Sequence, residues 1–146
     1  MLEGFFNASE LPLFAEHGLT TVVHNVEQIE MLVKTNLPVR LDVHLKINTG
    51  MNRLGFAPQH YPAALDALTH LNNVGKITLM THFACADDAT GITRQMQAFR
   101  SLVDRFNGIN LHAHFASALP GEAARRQKQL ELNVTPEGIA LLQVNG

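Results

Sequence analysis

Four residue types at strand ends are the places to look for chemistry. Lys46 lies in the stretch HLKINTGMNRLGF, His44 to Phe56. Leu45 and Ile47 alternate there with His44, Lys46 and Asn48. A strand with that alternation puts a lysine on one face and apolar side chains on the other. The chain then turns at Thr49-Gly50 and presents Arg53. A guanidinium held just past such a turn can grip a carboxylate, a phosphate or a phenolate through a forked contact. Burying a charged lysine without a partner is costly. A partner carboxylate, exposure at the strand end or chemical modification of the amine would each offset that cost, and simple snorkelling to solvent is the plainest reading. His82 closes a second run, KITLMTHF, and is followed by ACADD. Taken alone it reads as a hydrogen-bonded structural histidine. A third run, INLHAHF, carries His112 and His114 and leads to Ser117. The two histidines share one strand face, but no cysteine or acidic residue beside them completes a metal site, so no metal is expected. Asp87-Asp88 reads as a solvated turn or a cap, and Cys85 as a packed residue with no adjacent base to activate it. No phosphate-cradling glycine loop and no Ser-His-Asp grouping is legible.

The elements that must position these groups alternate. Met1 to Phe6 reads as a strand. Ser9 is placed to cap a short helix running to His17 and stopped by Gly18. Leu19 to Asn25 is rich in β-branched residues and reads as a strand. Asn25 with Gln28 three residues on resembles a capping box, opening a helix to about Thr35. Arg40 to Asn48 is the next strand, Pro58 to Leu71 a helix, and Lys76 to Phe83 another strand. Ile92, Met96, Phe99, Leu102, Val103 and Phe106 fall at helical spacing. INLHAHF and GIALLQV read as further strands, with a helix in EAARRQKQLEL between them. Strands alternating with single helices predict an α/β fold with a parallel sheet and right-handed crossovers. An open doubly wound sheet and part of a (β/α) barrel both fit. A closed eight-stranded barrel needs about 250 residues, more than the 146 here.

Composition narrows the function classes. The chain is 46% hydrophobic and 16% charged with a formal net charge of -2, which is ordinary for a globular domain. No basic run points to a nucleic acid. No apolar stretch approaches the roughly 18 residues of a membrane span, and the N-terminus lacks the pattern of a signal peptide. A single cysteine excludes an internal disulfide and suits a reducing compartment. A cytoplasmic setting is expected.

HLKINTGMNRLGF closely resembles the signature segment of alanine racemases, the pyridoxal 5'-phosphate enzymes that interconvert L- and D-alanine. LMTHFACADD is similar to the family's next strand end, and MLEGFF and the spacing of the blocks agree. The likeness covers Met1 to Phe106 and is nearest to bacterial racemases, including the catabolic type. It implies a partial TIM-type barrel, about strands three to six of the family's N-terminal (β/α) barrel, in residues 1–106. A diverged tail follows in 107–146. In the family that barrel precedes a β-rich domain and works as a head-to-tail homodimer acting on alanine. By resemblance Lys46 matches a lysine that is often carbamylated there. Arg53 matches the arginine that meets the cofactor phenolate and the substrate carboxylate, and His82 a histidine beside the cofactor ring. Ser117 in HFASALP matches a phosphate-binding serine, and Gly138 and Ile139 in TPEGIALLQVNG match backbone groups that meet the same phosphate. Asn48 stands where most members have Asp.

The departures shape the expected function. The family lysine that binds the cofactor covalently sits in a segment like KANAYGHG, which has no counterpart here. Tyr61, the sole tyrosine, does not match the family's catalytic tyrosine. Racemisation by two bases needs one on each face of the reacting carbon, so neither member of the acid/base pair is present. In the tail, Ala116, Thr135 and Leu142 replace the Asn, Arg and Tyr of the family pattern, and Glu137 is extra. The expectation is a fragment of an alanine racemase that is inactive alone. The alternatives are a small module binding pyridoxal phosphate or another metabolite without a covalent link, and a non-functional truncated reading frame.

Overall fold

The computed structural model describes residues 3–84, 89, 91–104, 111–112, 133–134 and 139–144, the last three segments and 103–104 by backbone alone. The first helical turn is a 3-10 segment, Ala8–Glu10, which leads into α1, Leu11–Glu16. Ser9 lies inside that turn. Asn7 occupies the cap position without a side-chain bond, so the expected serine cap does not form. β1 is Thr21–Val23, α2 Val26–Lys34, β2 Leu41–Ile47, α3 Tyr61–Thr69, β3 Val74–His82 and α4 Thr93–Asp104. Short strands β4 (Leu111–His112) and β5 (Asn133–Val134) and a longer β6 (Ile139–Val144) follow. The helix expected in EAARRQKQLEL lies outside the described residues.

The start of α2 shows how local sequence sets the frame. Asn25 Oδ1 accepts from the Gln28 backbone N–H at 2.9 Å, satisfying one orphan donor of the first turn. The Gln28 side chain turns backwards, but to His24 rather than to Asn25. Its Oε1 accepts from the His24 N–H at 2.8 Å, and its Nε2 donates to the Phe5 carbonyl at 3.0 Å. That second bond explains one difference from expectation. Glu3 to Phe6 is turn and bend rather than strand, because the Phe5 carbonyl is taken by a buried glutamine side chain instead of a strand partner. Gly4 has φ of 81°, and a Cβ there would lie 2.5 Å from the Val22 carbonyl oxygen. The N-terminal segment therefore presses its backbone against β1 at a place where only glycine fits.

β1, β2 and β3 are parallel neighbours, with Val22 opposite His44 and Lys46 opposite Met80. Helices cover one face of this sheet. Val23, Val43, Leu45, Ile47, Ile77 and Leu79 point into them and pack with Leu11, Phe14, Leu32, Tyr61, Leu65, Leu68 and Phe99 in one core. Side chains of opposite parity stand on the other face, where Val22 and Met80 form a separate small apolar contact. In a (β/α) barrel the helices form the outer ring and the second face looks inward. The chain is thus an α/β unit corresponding to part of such a barrel. Asn73 Nδ2 binds it together at the base, donating to the Leu32 and Thr35 carbonyls at 2.8 and 2.7 Å where α2 ends.

The tail departs from the all-parallel expectation. β6 runs antiparallel to β3 over six residue pairs, and β4 and β5 pair with β6, also antiparallel. The outer edge of β3 carries backbone donors and acceptors that need partners, and β6 supplies them in the reverse direction.

Candidate anion-binding site

The polar alternation of β2 survives folding. Lys46 stands on the inward face, its residue only 5% exposed, between His44 on its own strand and the β3 positions Thr78 and Met80. Burial pushes its ammonium pKa down, the Arg53 cation adds to that, and the Glu3 carboxylate opposes it. His82 ends β3 on the same inward face, half-buried. Burial lowers its pKa first, followed by the charges of Lys46 and Arg53. His44 is also pushed down, chiefly by burial. Arg53 itself is exposed. Lys46, Arg53 and His82 therefore gather near the C-terminal ends of two adjacent parallel strands, Arg53 disfavouring the charge on Lys46, and both cations disfavouring it on His82. Among the described residues, Glu3 is the one carboxylate whose field reaches Lys46 enough to oppose this. The arrangement is suited to receive a negatively charged group.

The loop presenting Arg53 is held by a dense set of short bonds. After β2 the chain leaves the sheet at Asn48 and returns at Phe56, which bridges to Ile47. Asn48 N–H donates to the Phe56 carbonyl and Phe56 N–H to the Lys46 carbonyl, both at 2.9 Å. Asn48 organises the interior of this loop. Its Oδ1 accepts from the Gly50 and Asn52 backbone N–H groups at 3.0 and 3.1 Å, and its Nδ2 donates to Asn52 Oδ1 at 3.1 Å. Asn52 has φ of 56°, the left-handed conformation that asparagine tolerates better than most residues. Gly55 closes the loop with φ of 123°. A Cβ there would sit 2.8 Å from the Asn48 nitrogen and 2.9 Å from the Ile47 carbonyl carbon. Thr81 Oγ1 donates to the Ile47 carbonyl at 2.9 Å, so Thr49 is the donor in the 2.7 Å contact between the two threonine hydroxyls.

Of the residues singled out in sequence, the fold brings together Lys46, Arg53 and His82. Ile139 pairs with His82 across β3 and β6, so its backbone reaches the same end of the sheet. Ser117 and Gly138 lie outside the described residues, as do Cys85, Asp87, Asp88 and His114. No group of three or more potential metal-ligating side chains occurs among the described residues. Sequence reading missed Asn52, Thr81, Gln95 and Glu3. An asparagine four residues after another, across a glycine turn, is the signal that marks Asn52. The others become visible only when the strands are laid side by side.

A partial (β/α) barrel with its basic groups at the strand C-termini is a recognisable class of catalytic or ligand-binding domain. The sequence profile described as "Alanine racemase, N-terminal domain" matches residues 1–144, and the chain belongs to that family. An alanine racemase of Shewanella baltica is 48% identical over 122 residues, 82% of this chain and 34% of its own length. One from Nitrosospira multiformis is 50% identical over 102 residues, 68% of this chain and 29% of its own. The chain thus spans about a third of the curated relatives it matches. Among solved structures, the biosynthetic alanine racemase of Pseudomonas aeruginosa superposes with a TM-score of 0.67 at 37% identity, covering 71% of this chain and 30% of that one. The alanine racemase of Acinetobacter baumannii gives 0.60 at 30% identity, covering 70% and 31%.

Proposed function

We propose that these residues form the central part of the cofactor barrel of an alanine racemase, contributing the anion-holding side of its site. The observation that carries this reading is the convergence of Lys46 and His82 on one inward face with Arg53 of the loop after β2 close enough for its charge to act on both. The donor set fits pyridoxal phosphate, whose phenolate and phosphate edges are anionic, and Arg53 has the forked geometry such edges favour. When bound, that cofactor supplies an electron sink for the carbanion left by loss of the alanine α-proton.

The chain's own residues orient rather than move the proton. Arg53 would hold the phenolate edge and the substrate carboxylate. His82 would offer the cofactor a neutral ring, because burial first and the Arg53 cation beside it disfavour the imidazolium. Lys46 offers an amine whose lowered pKa increases the uncharged fraction. That fraction is what adds carbon dioxide: the nitrogen lone pair forms the N–C bond, a proton leaves to water, and the product is a carbamate anion. The sign of residue 46 then reverses, and it pairs with Arg53.

Neither proton-moving group is supplied here. Tyr61 is fully buried in the core on the helix-covered face, and burial pushes its phenol pKa strongly up. It stands on the far side of the sheet from Lys46 and cannot serve as the base. The same reading takes residues 1–106 as the central barrel segment and 107–146 as a diverged tail. The cytoplasmic setting and homodimeric assembly of the parent family belong to it as well.

The test combines turnover and binding. Purified chain with pyridoxal phosphate and L-alanine is expected to yield no D-alanine on a chiral column, and turnover would overturn the inactive-fragment reading. Titration with pyridoxal phosphate should show binding that Arg53→Ala weakens about tenfold, the effect of losing a hydrogen bond to a charged group. Equal binding by both proteins would overturn the role given to Arg53. Borohydride reduction in the same samples addresses the second reading. Reversible binding with no lysine trapped supports a non-covalent module.

A further inference from the structure

Gln95 sits in the first turn of α4, half-buried, between the two strand ends that carry the basic groups. Its Oε1 accepts from the Ala84 backbone N–H at 3.0 Å. Ala84 follows His82 by two residues, so this bond ties down the end of β3. The same side chain lies against Gly50: a Cβ at position 50 would be 3.3 Å from Gln95 Cγ and 3.5 Å from Cδ. Gly50 is at the turn that leads to Arg53, and its φ of 139° is glycine-type. A second tie runs nearby between Thr49 and Thr81, the residue just before His82.

We propose that Gln95 is a positioning residue that locks the Arg53 loop to the His82 strand end, so that the two basic groups keep one fixed separation. The inference rests on the anion-binding reading only for its purpose, and the coupling itself stands on geometry. One glutamine does two things a smaller or apolar residue cannot combine: its amide oxygen takes the Ala84 N–H, and its methylenes fill the space a glycine leaves at position 50. Without the acceptor, the Ala84 N–H loses this partner and the turn after β3 is released from α4. Without the packing, the turn at Gly50 loses its backing and Arg53 is free to swing away from His82.

The experiment uses the full chain with two substitutions. Gln95→Ala removes both the acceptor and the methylenes that back Gly50. Gln95→Glu keeps an acceptor oxygen. Amide hydrogen exchange followed by mass spectrometry should rise for residues 48–55 in Gln95→Ala, by up to about tenfold, the range for loss of one hydrogen bond. Exchange in α2 and α3 should stay unchanged, and Gln95→Glu should exchange like the wild type. Titration of the His82 ring by NMR gives a readout that general loosening does not mimic: its pKa should rise in Gln95→Ala as the Arg53 charge withdraws. Unchanged exchange in 48–55 together with an unchanged His82 titration in Gln95→Ala would overturn the proposal, as would a Gln95→Glu chain that exchanges like Gln95→Ala. Failure of pyridoxal phosphate to shield Arg53 of the wild type from phenylglyoxal would count against the anion-binding reading instead, because exchange and titration alone decide the coupling.

Discussion

Lys46 carries a charge that the folded chain holds at a loss. It is buried, a second cation lies close, and Glu3 gives only partial relief. Replacing an imperfectly compensated buried charge with an apolar residue of similar volume usually stabilises a fold. In buffer free of carbon dioxide, Lys46→Met should therefore raise stability by about 1 kcal/mol, seen as a higher urea midpoint at constant slope. A lower midpoint would mean that the charge is fully paired. The histidines give a pH dependence whose sign follows from their shifts. His44 and His82 both have folded pKa values below the usual 6.5. Between those folded values and 6.5, the unfolded chain binds more protons than the folded one, so stability rises with pH across that window. It is fully present above 6.5 and lost as pH falls through the folded values. Urea midpoints measured from about pH 5 to 7 should climb, and the double variant His44→Gln, His82→Gln should flatten the climb.

Elements hold these residues through a few close fits. Gly55→Ala would place a methyl group against the backbone of Asn48 and Ile47 in a conformation alanine avoids. A loss of about 3 kcal/mol is expected from strain and overpacking together, measured by chemical denaturation. Asn25→Ala removes the cap of α2 and should lower stability by about 1 kcal/mol with little change in the environment of Arg53. The contrast between these positions shows what a sequence makes legible. The cap of α2 announces itself, because Asn25 and Gln28 are three residues apart and the chemistry is local. The polar face of β2 does so too, since a lysine between Leu45 and Ile47 breaks an apolar strand in a readable way. The N-terminal segment misleads: MLEGFF has strand composition, but its carbonyl at Phe5 is claimed by Gln28, over twenty residues away. The reversed direction of β6 is equally hidden, because an apolar run such as IALLQV pairs either way and the choice belongs to its neighbours. Gln95 is illegible for the same reason, as its partners Ala84 and Gly50 are brought near by the sheet.

At the scale of the whole molecule, the sheet has two unlike faces. One buries a continuous core that reaches from Phe5 to Leu102. The other holds the basic groups and the small Val22–Met80 contact. Because a single core joins α1, α2, α3 and α4, unfolding should be one cooperative event. Tyr61 fluorescence and far-ultraviolet circular dichroism should trace the same urea transition, and separate transitions would divide the core into independent parts. No helix among the described residues is long and apolar enough to cross a membrane. The ties around the basic groups are also confined along the chain: Lys46 to Phe56, Thr49 to Thr81 and Ala84 to Gln95 all close within one contiguous stretch. Such a stretch behaves as a cassette. Recombination between related genes can exchange it whole without severing any of these bonds, whereas a crossover between Phe56 and Thr81 joins a loop from one parent to a strand end selected with another.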